Sequence, residues 1–114
     1  MADEADVRVA GRVTVADRVV VKVAQHAAAG ASTRVRGGLS GPDLPQVEVE
    51  LAGRRARVRV RVASTWPEPA AQVAGRVRDA VRTELGRLAG VEVDDLMVTV
   101  AAVQPPAAEV RRVR

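Results

Sequence analysis

The sequence predicts a single α+β domain, a two-layer sandwich with two helices on one face of a mixed sheet. Three observations carry this. Residues 53–62, Gly-Arg-Arg-Ala-Arg-Val-Arg-Val-Arg-Val, alternate arginine and valine with the period of a strand. Two stretches, around Val19–Ala31 and Ala70–Leu88, repeat small apolar residues at helical spacing. Strand and helix signals alternate in the order strand, helix, hairpin, helix, strand. The helices must then lay their apolar stripes on one face of the sheet.

Val13 and Val15 alternate with polar residues and predict a short first strand. Asp17 follows where a helix N-cap belongs, its carboxylate able to accept from free amide groups. Val19, Val20, Val23, Ala24, Ala27 and Ala31 then form one stripe, and Gly30 is the expected stop. Val21 and Ala28 fall on the outer side of this helix. Residues 32–45 are polar and hold Gly37, Gly38, Gly41, Pro42 and Pro45, which reads as a connection with a short strand at Thr33–Arg36.

The central hairpin can be registered from the sequence. Gly53-Arg54 suits a two-residue turn with glycine in the first central position. Glu50 then faces Arg57 and Glu48 faces Arg59, while Val49 meets Val58 and Val47 meets Val60 on the other side. Each such pair contributes a few tenths to ~1 kcal/mol, and a one-residue slip loses both sets. In this register Arg55 and Arg61 have no acidic partner.

Thr65-Trp66-Pro67-Glu68 has the form of a capping box. Ala70, Val73, Ala74, Val77, Val81, Leu85 and Leu88 give a long second helix its stripe, and Gly90 ends it. Leu96, Val98 and Val100 alternate with Met97, Thr99 and Ala101 in a final strand. Both of its faces are apolar or small, as in a strand inside a sheet. Gln104-Pro105-Pro106 closes it. The expected organisation is an acidic disordered tail over 1–10, one domain over 11–104 and a flexible basic tail over 105–114.

Composition narrows the function. The chain has 114 residues, net charge +4, no Cys, Phe or Tyr, and one Trp and one His. Without Cys there is no disulfide or thiolate chemistry, and one His cannot build a zinc site. His26 sits on the flank of the first helix's stripe, as a residue covering the core edge rather than a general base. No serine lies in a nucleophile-elbow context. Adjacent carboxylates Asp94 and Asp95 would point to opposite faces of a strand and would not converge on a metal. Gly37-Gly38-Leu39-Ser40-Gly41 lacks the Gly-Lys-Ser/Thr ending of a phosphate loop. Glu84 falls at the edge of the second stripe, within reach of Arg87. No catalytic, metal or cofactor site is expected.

The basic balance admits a nucleic-acid binder, although the bias to Arg, Ala, Val, Gly and Pro also follows from a GC-rich genome. Aromatic stacking platforms are missing, which disfavours single-strand binding. Of Arg55, Arg57, Arg59 and Arg61, two are offset by Glu48 and Glu50, and phosphate contact through the unpaired Arg55 and Arg61 stays open as an alternative. Features suiting a protein partner are the arginine face, Trp66 as an anchor or as a plug of the strand–helix junction, and the second helix around Gly75, Arg82 and Gly86. The two glycines lie eleven residues apart, at nearly one azimuth, and glycine permits close approach. No signal-peptide pattern or run of ~20 apolar residues is present. The chain is expected to be soluble and cytoplasmic.

Two segments resemble a known family. One is Gly11-Arg12-Val13-Thr14-Val15-Ala16-Asp17-Arg18-Val19-Val20 with Val23-Ala24 and Ala27-Ala28. The other runs from Val73 to Val103, with Arg76-Val77, Ala80-Val81, Leu88-Ala89-Gly90-Val91 and Leu96-Met97-Val98-Thr99-Val100. Together they resemble the alkaline shock protein family, the Gls-type envelope stress response proteins of Gram-positive bacteria, over about residues 11–103. Ser32–Gly37 departs from that family's proline-glycine-valine-like turn. The resemblance implies a non-enzymatic homo-oligomer that supports the cell envelope under stress. It also implies cytoplasmic localisation at the inner face of the membrane, held by a small membrane-anchored partner of the same family.

Overall fold

The structure is a computed structural model that describes residues 15–106. The expected terminal tails and the strand position Val13 lie outside the described residues, apart from Pro105 and Pro106. The order is α1 (Val15–Ala31), a 3-10 turn (Gly38–Ser40), β1 (Gln46–Ala52), β2 (Arg55–Thr65), α2 (Ala70–Glu84), a π turn (Leu85–Ala89) and β3 (Glu92–Gln104). The sheet order is β1-β2-β3, with β1 antiparallel and β3 parallel to the central β2. Parallel pairing requires a crossover, and α2 supplies it. The fold is the two-layer α+β class that the patterning predicts.

The hairpin takes the predicted register, Glu50 opposite Arg57, Glu48 opposite Arg59, Val49 opposite Val58 and Val47 opposite Val60. Gly53 has φ +64°, the left-handed value its turn position needs. Ala56, Val58, Val60 and Val62 point inward and pack with Val20, Ala24, Ala27 and Ala28 of α1 and Val73, Val77 and Val81 of α2. Each buried valine contributes about 1.5 kcal/mol or more. The arginines between them all face solvent on the sheet side the helices leave open.

Several local expectations are corrected. Val15 is helical and Asp17 lies in the first turn of α1 rather than at its cap, where a carboxylate still favours the positive end of the dipole. Gly30 sits inside the last turn, and Ser32 Oγ donates to Ala28 O at 2.7 Å. Val19 is exposed, whereas Ala28, assigned to the outer side, is fully buried. The buried stripe thus centres on Ala24, Ala27 and Ala28, small residues that let α1 come close to α2 and β1.

The capping box does not form. Thr65 ends β2, and its Oγ1 shares a 2.6 Å hydrogen bond with Thr33 Oγ1. Glu68 N–H closes a turn on Thr65 O at 2.9 Å, and α2 starts only at Ala70, after Pro69. Pro69 disfavours helical geometry at residue 68, so two prolines postpone the helix by a turn and leave Ala70 exposed. At the other end the α-helix stops at Glu84 and continues as a π turn. Its wider winding turns Leu88 out to 54% exposure while Leu85 stays fully buried. Gly90 ends the turn at φ +66°, as predicted, with its N–H on Leu85 O.

The connection after α1 forms isolated bridges rather than a strand, one to the sheet, one closing it on itself, with a further bond back to α1. Thr33 N–H donates to Ala63 O at 3.0 Å, Val35 and Leu44 exchange two bonds, and Gln25 Nε2 donates to Pro45 O at 2.7 Å. The last departure is β3. Its residues predict an interior strand, yet among the described residues it pairs with β2 alone and stands at the edge.

A charge-balanced sheet face as the candidate functional site

The open face of the sheet is built by the period of two. On β2 it carries Arg55, Arg57, Arg59 and Arg61 in one column. On β1 the same face carries Gln46, Glu48 and Glu50, opposite Arg61, Arg59 and Arg57. On β3 the partners are Glu92 beside Arg55, Asp95 beside Arg57, Met97 beside Arg59 and Thr99 beside Arg61. A register shift between Ala56 and Arg57 makes Asp94 the extra residue of a bulge, which leaves both Asp94 and Asp95 exposed. Acidic residues therefore flank the arginines on both sides.

Arg55 is held most firmly. Its Nη2 donates to Asp94 Oδ1 at 2.8 Å and its Nε to both carboxylate oxygens at 3.0 Å. Hydrogen bonding to Asp94, then the charges of Asp94 and Glu92, push the guanidinium pKa further up. Both side chains are well exposed, so this pair holds geometry more than it adds stability. Arg61 Nη1 donates to Gln46 Oε1 at 3.2 Å, a neutral partner. Arg57 and Arg59 close no ion pair among the described residues; the register alone stands them beside acids.

This corrects the expectation that Arg55 is free. Arg61 keeps its charge uncompensated but is hydrogen-bonded. The acids at Glu92, Asp94 and Asp95 are the functional neighbours the sequence reading missed. Their approach depends on β3 lying parallel beside β2, a pairing between residues such as Arg55 and Asp94, 39 apart in sequence, that no local period encodes. Gln46, Glu48, Arg59, Arg61, Met97 and Thr99 line a shallow depression on this face.

The other candidate residues are not gathered at one place. Arg76 bridges Glu68 (Nη1 to Oε2 2.6 Å, Nη2 to Oε1 3.1 Å) and the C-terminal carbonyl of α1, Ala31 O, at 3.3 Å. That clip closes the α1–α2 seam, and hydrogen bonding to Arg76 holds the Glu68 carboxyl below the usual carboxylate range. Arg82 Nη1 donates to Val93 O at 3.3 Å, tying α2 to the start of β3. Gly75 lies in α2 and Gly86 in the π turn, so no single α-helix carries both. Among the described residues a Cβ at either meets no atom within 4 Å, so no contact among them requires either glycine.

Trp66 does not plug the strand–helix junction. It is 63% exposed, just past β2, with its backbone N–H donating to Gln104 O at 2.8 Å. Met97 and Val103 of β3 are likewise more than half exposed. His26 is exposed on α1, in the layer behind the sheet. Glu84 accepts from Arg87 Nη2 at 3.0 Å, the edge-of-stripe role expected for it. Among the described residues no three acidic or histidine side chains are grouped to hold a metal ion.

No protein-family model matches this chain, and no curated protein matches it. Among solved structures, a MamM-CTD variant aligns at 17% identity and TM-score 0.44, covering 80% of this chain and 98% of its own. A cadmium form of another MamM CTD variant aligns at 18% identity and TM-score 0.43, again over 80% and 98%. Likeness at this level transfers neither family nor function.

Proposed function

We propose that this chain is a non-catalytic interaction domain that self-associates and docks to a small membrane-anchored partner of the alkaline shock type, supporting the cell envelope under stress. The observation that favours it is the set of large apolar side chains left exposed on and beside β3. Met97 is uncovered on the arginine face, and Val103 is uncovered on the opposite face near the strand's C-terminal end, where Trp66 is uncovered too. Exposed aromatic and methionine side chains of this kind are what protein interfaces use. No helix among the described residues is long and apolar enough to cross a membrane, so in this reading the partner provides the anchor. The segments Gly11–Val20 and Val73–Val103 support the family assignment by their resemblance.

The arginine face supports the protein-partner reading over the nucleic-acid one, because its charges are matched by Glu48, Glu50, Glu92, Asp94 and Asp95. The test is sedimentation equilibrium over a wide concentration range, with capture of membrane-fraction proteins on the immobilised chain and on Trp66→Ala. The expected result is a concentration-dependent oligomer, and a small membrane protein of the same family retained by the parent and lost with the variant. A monomer at every concentration that captures no such protein would overturn the reading.

A further inference from the structure

We infer that the edge of β3 left unpaired among the described residues is a self-pairing surface, joining two copies of the chain into one continuous sheet through an antiparallel β3–β3 contact centred on Val98. The inference rests on the self-association proposed above and names its site. Natural edge strands are protected by charges, prolines or shortness. β3 is 13 residues long, and from Leu96 to Gln104 it contains neither a charge nor a proline. It has the residues of an interior strand at an edge position.

The direction of its backbone groups follows from the ladder. Glu92 N–H donates to Arg54 O, and Trp66 N–H donates to Gln104 O, each at 2.8 Å. Thr33 N–H reaches Ala63 O from the β1 side at 3.0 Å. Even-numbered residues of the central strand therefore turn their amides toward β3, and odd-numbered ones turn away. With Val58 beside Leu96 through Val62 beside Val100, Asp95, Met97 and Thr99 bond inward. The N–H and C=O groups of Leu96, Val98 and Val100 point out to the edge.

A two-fold axis through Val98 uses all three. Val98 faces Val98 of the second copy, and Leu96 faces Val100 in both directions. These are three hydrogen-bonded pairs of two bonds each, or about six bonds. On the helix side the contact closes over Leu96, Val98 and Val100, each only half-buried in a single copy. On the open side Met97 meets Thr99. Charge selects the antiparallel sense: Glu92, Asp94 and Asp95 crowd one end of the strand, and a parallel pair would set them against their own copies. The antiparallel pair sends each acidic end beside the uncharged Ala101–Val103 end of the other.

The test combines sedimentation equilibrium of the full chain with amide hydrogen exchange. The Leu96, Val98 and Val100 amides should exchange quickly in dilute protein and become protected as the oligomer forms. Met97→Glu with Thr99→Glu places acids opposite acids across the axis and should raise the dissociation constant roughly tenfold or more. Folding is not threatened, because Arg59 and Arg61 stand beside those positions. Met97→Glu with Thr99→Arg places opposite charges across the axis and should restore association. An oligomer whose Leu96, Val98 and Val100 amides stay freely exchanging, or which ignores the paired acids, overturns this edge while leaving self-association standing. A monomer throughout overturns both.

Discussion

Neutralising the acids around the arginine column turns charge balance into a measurable quantity. The perturbation is Glu48→Gln, Glu50→Gln, Asp94→Asn and Asp95→Asn together. All four side chains are exposed, and only Asp94 closes an ion pair, with Arg55, so the fold should lose less than about 1 kcal/mol. The formal net charge rises from +4 by four units to +8. If the acids hold the arginines in check, the variant exposes up to four phosphate-binding cations. Counterion release then gives a slope of log K against log salt up to about −0.9 × 4, or roughly −3.6. Over a fourfold change in salt, from about 50 to about 200 mM, that is roughly a 150-fold loss of affinity. A mobility-shift titration of double-stranded DNA at the two salts reads it. The variant should gain binding at low salt that collapses at high salt, and the parent should not. Parent binding as tight as the variant's, with the same slope, would refute the neutralisation argument and return the arginine face to nucleic acid.

Leu85→Ala removes the largest fully buried side chain among the described residues, at the junction of α2 and the π turn. A loss of about 2–5 kcal/mol is expected in urea unfolding; a loss under 1 kcal/mol would show that the π turn repacks. Glu48→Arg with Arg59→Glu keeps opposite charges across the hairpin, so the melting temperature should stay near the parent's; unfolding would refute the register. Glu68 has its pKa lowered, first by its hydrogen bond to Arg76. A depressed carboxyl contributes stability above its unfolded pKa of about 4.3, lost as pH falls through the folded value. Thermal melts between neutral pH and acid should therefore show a smaller acid loss in Arg76→Ala than in the parent. Identical pH profiles would show that the clip carries no linkage.

How far the sequence could be read depended on the distance over which each feature is encoded. Hairpin register was legible because Gly53-Arg54 sets a short turn, and because Glu48, Glu50 and the valines repeat in phase with Arg57, Arg59 and their valines. The inward residues of α2, Val73, Val77 and Val81, were legible for the same local reason. Helix starts and stops failed where chemistry competed. Thr65 had the form of a cap but was drawn into the sheet by its bond to Thr33 and its pairing with Gln104, and Pro67 and Pro69 held the chain out of helix. Leu88 kept helical phase in the sequence and lost it in the π turn.

By itself the sequence determined the fold class, the hairpin register and the inward valines of β2 and α2, because side-chain periodicity and turn chemistry act within a few residues. Only the tertiary structure decided what surrounds the arginines and what β3 is. Strand order is set by the α2 crossover and by long-range packing, and those bring Glu92, Asp94 and Asp95 beside Arg55 and Arg57. The same choice leaves an uncharged strand at the edge of the described sheet. A stripe that looked basic along the chain is flanked by acids on both neighbouring strands, because charges sum over neighbours in space.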